Sequence, residues 1–561
     1  MSDARRGLPL TKSHREKIFP KLTPAQIDRV ALHGRTRSVQ SGEVLIEQGD
    51  RSVPFFVVIT GEVEILRPFG ARETLITVHG PSEFTGEVNM LSGRRSLVRA
   101  RATKPGKVIE LDHQQMLGLV QTDAELSDIL MRAFILRRVE LIAAGVGDIV
   151  LVGSTYSAGT LRIKEFLMRN GHPYSYIDLE RDPDVQNVLD SFQVSASEIP
   201  VLICRGQIVL RNPGNQQIAD CLGFNESIDQ THVRDLIVIG AGPSGLAAAV
   251  YGASEGLDVL MLETSSPGGQ AGSSSRIENY LGFPTGISGQ ELAGRAYNQA
   301  QKFGAHMLVA RATRLICDRK PYVIELENGA RISTRTIVIA TGAQYRKLPL
   351  ENLARFEGAG VYYGATFVEA QLCGGEEVIV VGGGNSAGQA AVFLAQTAKR
   401  VYMLVRSNSL AASMSRYLIR RIENTPTIML RPQTEIVRVE GGGGAGNHLD
   451  SVYWRNSQTG QTEKHGISHI FIMTGADPNT DWLNGCIALD DKGFIKTGPD
   501  ILPENLSAAG WPLTRQPYLL ETSLPGVFAV GDVRGGSIKR VASAVGEGSI
   551  AISFVHKVLQ E

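Results

Sequence analysis

Residues 235–245 read Asp-Leu-Ile-Val-Ile-Gly-Ala-Gly-Pro-Ser-Gly. Four consecutive apolar residues running into a glycine turn describe a buried strand that hands over to a helix, here the apolar stretch 246–256. The turn has G-x-G-x-x-G spacing, with Gly240 for the tight bend, Gly242 for close backbone approach to a pyrophosphate and Gly245 for close helix packing. Pro243 and Ser244 open the helix, whose first N–H groups have no intrahelical partner and therefore face an anion. The next apolar run, 258–263, ends in Glu263, at the spacing expected for a carboxylate that accepts from a ribose 2′-hydroxyl. Strand, turn, helix, strand and acid together predict a Rossmann-type dinucleotide-binding domain.

The arrangement recurs downstream. The run 376–381 leads into Gly382, Gly383, Gly384, Asn385, Ser386 and Ala387, with alanine at the last small position. The strand after that helix ends in Arg406, where the first site had its acid. A cation there suits a 2′-phosphate, so NADPH is expected over NADH. A solvated surface arginine is the alternative reading. Two dinucleotide sites in one chain imply a hydride path from a nicotinamide to a second bound cofactor.

Around these motifs lie 561 residues, enough for about four domains. Lys+Arg and Asp+Glu number 57 each, a balance that gives no support to a nucleic-acid or membrane-attracted surface. The first residues are polar and no apolar run is long enough to cross a bilayer, so a cytoplasmic protein is expected. Five cysteines, Cys204, Cys221, Cys317, Cys373 and Cys486, contain no C-x-x-C, and neither a disulfide framework nor a zinc site is expected. Residues 1–146 read as short alternating strands with glycine turns closed by a helix over about 125–144. Residues 147–224 read as a compact α/β unit, and a polar linker follows. The glycine run 441–444 is expected to be a hairpin tip, since no helix follows it.

From about 233 to 558 the chain resembles low-molecular-weight thioredoxin reductases. The stretch 266–292 is similar to that family's flavin-contacting segment, placing Gln270 and Asn279 near the isoalloxazine. Thr341 and Gly342 stand in an Ala-Thr-Gly turn similar to the family's domain crossover, and 471–480 is similar to the turn on return. Asp532 matches the acid near the ribityl chain, and Arg540 and Val541 begin the last helix, with arginine where a glutamine commonly faces the flavin. The resemblance implies FAD in an outer domain (233–346 and 475–561), an inserted NADP-binding domain (347–474) and a homodimer. It also implies a departure. The family carries Cys-Ala-Thr-Cys where this chain has Gly364-Ala365-Thr366-Phe367. Neither end residue can form a thiolate. The family's basic cluster keeps Arg406, with Ser407 and Ala411 at its other positions and Arg416 or Arg420 as substitutes.

The unit at 147–224 resembles a thioredoxin or glutaredoxin fold, with Ile199-Pro200 at the place of a cis pair and Ser154 and Ser157 near the places of redox cysteines. Residues from about 14 to 145 resemble β jelly-roll cyclic-nucleotide-binding domains. The stretch 83–102 is similar to the phosphate-binding cassette, which assigns Gly86, Glu87, Arg95 and Ser96 to the ligand, Glu87 to its ribose and Arg95 to its phosphate, with Arg94 as the alternative. A cyclic dinucleotide is a second candidate ligand. The fold class expected is therefore multidomain: a jelly roll, a thioredoxin-like α/β domain and two three-layer Rossmann-type domains. Three functions are compatible: an NADPH-dependent flavin enzyme passing electrons to an unidentified acceptor, a non-enzymatic nucleotide-binding sensor, and a disulfide reductase working through another cysteine such as Cys373.

Overall fold

The strand Val233–Ile239 sits at the centre of the sequence motif and of its sheet. It is buried from Leu236 to Ile239 and pairs in parallel on both sides, with Val259–Glu263 and with Arg331–Ile339. Strands buried on both faces need apolar residues throughout, which is why this segment does not alternate. The sheet continues antiparallel to Tyr322–Leu326 and Ala312–Ile316, and Val527–Ala529 joins Arg331–Ile339 from the far end of the chain. The helices Pro243–Ser254 and Val541–Gln560 pack on each other, so that a Cβ at Gly548 would stand 2.1 Å from the Ser244 carbonyl oxygen.

The structure is a computed structural model. It describes residues 12–561 apart from 52, 70–71, 87–89, 91–94, 144–148, 155–156, 180–197, 205–207, 226–228, 275, 366, 442–447 and 484. The chain divides into two units: Met1–Ser154, Phe166–Ser227 and Asn298–Val309, and then Thr155–Glu165, Ile228–Tyr297 and Ala310–Glu561.

In the second unit, between the two parts of the flavin-type sheet, lies a parallel five-stranded sheet. Its order is Val361–Tyr362, Ile470–Ile472, Glu377–Val381, Arg400–Val405, Ile428–Pro432. Thr434–Gly441 and Leu449–Asn456 form an antiparallel hairpin carrying Thr462–His465 on its edge. The glycine run expected as its tip lies outside the described residues beyond Gly441.

The first unit contains two sheets. Five antiparallel strands, Arg35–Val39, Val44–Ile46, Phe55–Phe69, Arg72–His79 and Arg99–Leu111, make a β-roll. Its flanking helices start where sequence dictates: Thr23 with Gln26, and Asp112 with Gln115, form reciprocal capping boxes. The long helix Ala124–Ala143 brings Phe134 against Phe55 and Phe84, with ring centroids 6.3 Å from each. The other sheet has the order Ser175–Asp178, Ile149–Gly153, Val201–Cys204, Ile208–Arg211. Its first pair is parallel and the other two are antiparallel. Ile199-Pro200 is cis, as expected.

The cysteine expectation needs correcting. Cys204 is bonded to Cys221, and Cys317 to Cys486. The partners are 17 and 169 residues apart, so no local spacing announces them. It is the chain's return to the strand Ala312–Ile316 that brings Cys486 to Cys317, with Cα atoms 6.1 Å apart.

One buried ion cluster ties the last helix to the flavin-type sheet. Glu521 has no exposed side-chain surface; it accepts from Arg515 Nη1 at 2.6 Å and from the Gly526 N–H at 2.8 Å. Arg515 also reaches the C-terminal Glu561 at 2.6 Å. Removing the cation would strand a buried carboxylate. We expect Arg515→Met to lower stability by about 3–5 kcal/mol, read as a drop in urea midpoint at unchanged slope.

Candidate functional site

The first glycine turn is built by contacts that only hydrogen permits. Gly240 has φ +102, and a Cβ on it would lie 2.3 Å from the Ala340 oxygen. A Cβ on Gly245 would lie 1.9 Å from the Gly240 oxygen. Gly242 is different: it caps the helix Pro243–Ser254, and a Cβ there would meet nothing within 4 Å. Tight bend, close helix and open volume before the helix N-terminus are the three conditions for a pyrophosphate seat.

The other residues expected at this site gather around it. Glu263 Oε2 accepts from the Ala241 N–H at 2.8 Å, and Oε1 accepts from the Thr264 and Ser265 N–H groups at 3.0 Å, which fixes the carboxylate at the strand end. Ser244 packs under Gly531, next to Asp532. Burial raises Asp532, while Lys539 Nζ at 3.8 Å opposes that shift. Gln270 Nε2 donates to the Ala343 oxygen, beyond the crossover turn. Thr341 Oγ1 donates to the Asn479 oxygen and Asn479 Nδ2 donates back to the Thr341 oxygen, both at 2.9 Å, clasping the outgoing and returning strands. Arg540 is exposed and caps the helix that Val541 begins. Asn279 is exposed. These residues could hold a dinucleotide, with its phosphates before Gly242 and Pro243 and a ribose at Glu263.

The second turn repeats the construction. Gly382 lies 2.4 Å, by its virtual Cβ, from the Met473 oxygen, and Gly384 caps the helix Asn385–Leu394 with open space around it. Asn385 Oδ1 accepts from the Ser415 N–H at 2.8 Å. Arg406 is exposed directly after the strand Arg400–Val405, and Arg416 and Arg420 lie on the helix Arg416–Glu423.

Two features were missed in sequence. Tyr345, on the crossover strand, hydrogen-bonds Ser386 and has its hydroxyl pushed up by burial, so it joins the second turn to the first site. Arg421 Nη1 donates to Glu278 Oε2 at 2.8 Å, linking the helix Arg416–Glu423 to the stretch 266–292. Neither residue belongs to a local motif, and only the fold pairs them.

In the β-roll a cavity of roughly 710 Å³, counting its open part, lies between the strands and the helix Ala124–Ala143. Gly86 and Ser96 line it, with apolar residues including Ile46, Val53, Ile65 and Ile76. Glu87 and Arg94 lie outside the described residues. Arg95 is not among the lining residues: its side chain lies against Gly223, whose virtual Cβ would be 2.5 Å from Nε.

With this geometry in place, comparison with known proteins gives two family matches. Residues 234–548 match the pyridine nucleotide-disulphide oxidoreductases, and residues 36–123 match the cyclic nucleotide-binding domain. The chain belongs to the pyridine nucleotide-disulphide oxidoreductase family. It is similar to the thioredoxin reductase of Bacillus subtilis, 30% identical over 334 residues, covering 60% of this chain and 97% of that one. It is similar to the thioredoxin reductase of Peptoclostridium acidaminophilum, 31% identical over 335 residues, covering 59% and 98%. Among solved structures it is similar to Lactococcus lactis thioredoxin reductase, with 28% identity, a TM-score of 0.52, and coverage of 58% of this chain and all of that one. It is therefore an NAD(P)H-dependent flavoprotein oxidoreductase of thioredoxin reductase-like type with an N-terminal cyclic nucleotide-binding domain. No helix among the described residues is long and apolar enough to cross a membrane.

Within the family framework, the stretch at 364–367 has no sulfur. A Cβ at Gly364 would meet nothing within 4 Å, and Phe367 starts the short helix Phe367–Leu372. Cys373 ends up buried just beyond that helix, with its thiol pushed up to about 12 by burial. At neutral pH it is a thiol, not a nucleophilic thiolate. Its Sγ–H points to the Ala370 oxygen.

The first turn gives a direct test of cofactor retention. A side chain at 245 would occupy the position of the Gly240 carbonyl. Gly245→Val is expected to purify without the flavin absorbance of the wild type, measured as the flavin-to-protein absorbance ratio.

Proposed function

We propose that this chain is an NADPH-dependent flavin oxidoreductase that delivers electrons to an acceptor without a C-x-x-C relay, under control of a cyclic nucleotide or cyclic dinucleotide. The observation that carries the reading is the coexistence of two fully formed dinucleotide turns with a sulfur-free 364–367 stretch. When bound, the flavin supplies a two-electron centre that a nicotinamide can reduce and an acceptor can reoxidise.

The chain's own residues bind and orient. Gly242, Pro243, Ser244 and Gly245 seat the FAD phosphates, and Glu263 takes the ribose. Gln270, Asn279, Thr341 and Gly342 border the ring system, and Asp532, Arg540 and Val541 close the far side. Gly382, Gly384, Asn385 and Ser386 seat the nicotinamide cofactor's phosphates. Arg406 meets its 2′-phosphate. Open space at Gly364, where relatives of this kind carry a cysteine, leaves room for an acceptor or its reacting group to approach. In the β-roll, Gly86, Glu87 and Ser96 are the candidate effector contacts, while Arg95, expected with them, turns instead to Gly223. Domain limits of 1–146, 147–224, 233–346 with 475–561, and 347–474 accompany this reading, as do a homodimer, a cytoplasmic setting and no nucleic-acid partner. The four-stranded sheet and cis Pro200 support a thioredoxin-like second domain, with Ser154 and Ser157 at its redox positions.

The deciding experiment is anaerobic stopped-flow absorbance of the holoprotein mixed with NADPH, with and without a panel of cyclic mono- and dinucleotides. Rapid bleaching that changes with one effector is the expected result; no bleaching under any condition overturns the enzymatic reading in favour of a sensor. Two variants refine it. Arg406→Ala is expected to raise KM for NADPH about tenfold while leaving NADH kinetics unchanged, the loss of one charged contact of about 1.4 kcal/mol. Cys373→Ser is expected to keep the wild-type rate with any acceptor, because burial denies the sulfur its thiolate; a loss of turnover without loss of flavin reduction would restore the cysteine route.

A further inference from the structure

Among the described residues lining the β-roll cavity there is one arginine, and it is not the arginine that sequence selects. Arg137 projects from the helix Ala124–Ala143 and is only 6% exposed. Nε donates to the Ile18 oxygen at 3.0 Å and Nη1 to the Gly86 oxygen at 2.7 Å. The guanidinium stacks over Phe84 and Phe19, 4.6 and 5.0 Å from the ring centroids. Arg137 lines the cavity, and its Nη2 is buried and has no hydrogen-bond partner among the described residues.

A guanidinium does not give up its proton in a protein, so its burial cost has to be met by an anion. Burial drives Arg137 down to about 9, opposed only by the more distant Glu83. The other basic lining group, His79, is held neutral by burial, at about 4. Gly86, whose carbonyl Arg137 holds, opens the cassette-like segment, and no other residue fits there: φ is +105, and a Cβ would lie 2.3 Å from Met90 Sδ and 2.9 Å from Phe134. Arg95, in contrast, packs on Gly223, the left-handed cap of the helix Asn215–Leu222.

We propose that the cavity binds a monoanion with an apolar body, and that Arg137 on the long helix, not Arg95, holds its charge. A cyclic phosphodiester joined to a purine has this character, and so does an aliphatic carboxylate. Glu140, one turn further along the helix, also lines the cavity. Because Arg137 bridges Ile18, Gly86 and the helix, an anion at Nη2 acts on all three at once. The nucleotide identity of the ligand rests on the function proposed above; the anion site does not.

The test uses the full-length holoprotein, isothermal titration calorimetry and thermal unfolding, with 3′,5′-cyclic AMP and octanoate as probes. For the probe that binds wild type, Arg137→Met is expected to weaken affinity about 10–100-fold, the range for a lost charged hydrogen bond. The ligand-free melting temperature is expected not to fall, because an uncompensated charge has been removed. Arg95→Ala is expected to stay within about threefold of wild type. If Arg137→Met does not fold, Arg137→Lys decides, with an expected loss of about tenfold because lysine keeps the charge but not the fork. Octanoate binding that depends on Arg137, without cyclic AMP binding, upholds the anion site and removes the nucleotide effector. Wild-type affinity in the Arg137 variants, loss confined to Arg95→Ala, or no binding of either probe to wild type overturns the proposal.

Discussion

Backbone lies directly on backbone at Gly240, Gly245 and Gly548, and the flavin-type half of the molecule is arranged around that contact. Gly245 lets the first helix close on the Gly240 carbonyl, Gly240 bends against Ala340, and Gly548 lets the last helix settle on Ser244. Each contact excludes a single methyl group. Together they bring residues from positions near 240, 340, 530 and 548 within a few ångströms, although hundreds of residues separate the first from the last. The phosphate seat before Gly242 stays open because its neighbours are so closely packed.

The two glycine turns are equivalent in construction and unequal in exposure. The first is clasped by Thr341 and Asn479 and covered by the Asp532 turn. The second meets its surroundings through Tyr345 and through the exposed Arg406. A tightly held cofactor and an exchangeable one have these different requirements. Gly364 and Ala365 follow the strand Val361–Tyr362 and precede the short helix Phe367–Leu372, apart from both glycine turns in sequence.

Local physics was legible in the sequence and remote pairing was not. Both Rossmann turns and Glu263 at its strand end follow from residues a few positions apart, the cis Pro200 follows from a family resemblance, and the capping boxes at Thr23 and Asp112 went unread. The disulfides were misread because Cys317 and Cys486 meet only through the sheet. Tyr345 and Arg421 were not singled out in sequence and act through partners 41 and 143 positions away. Arg95 stands in a motif-like stretch but turns to Gly223, while Arg137, on a helix whose polar and apolar residues show no clear sidedness, is the cation that reaches the cavity.

The ion pair between Arg421 and Glu278 has a further consequence. Its side chains are 39% and 28% exposed, so mobile ions reach it and screen it. The covalent crossings at Thr341 and Asn479 feel no such screening. Ionic strength thus weakens the tie between Glu278 and the helix Arg416–Glu423, whereas the chain crossings persist at any salt concentration.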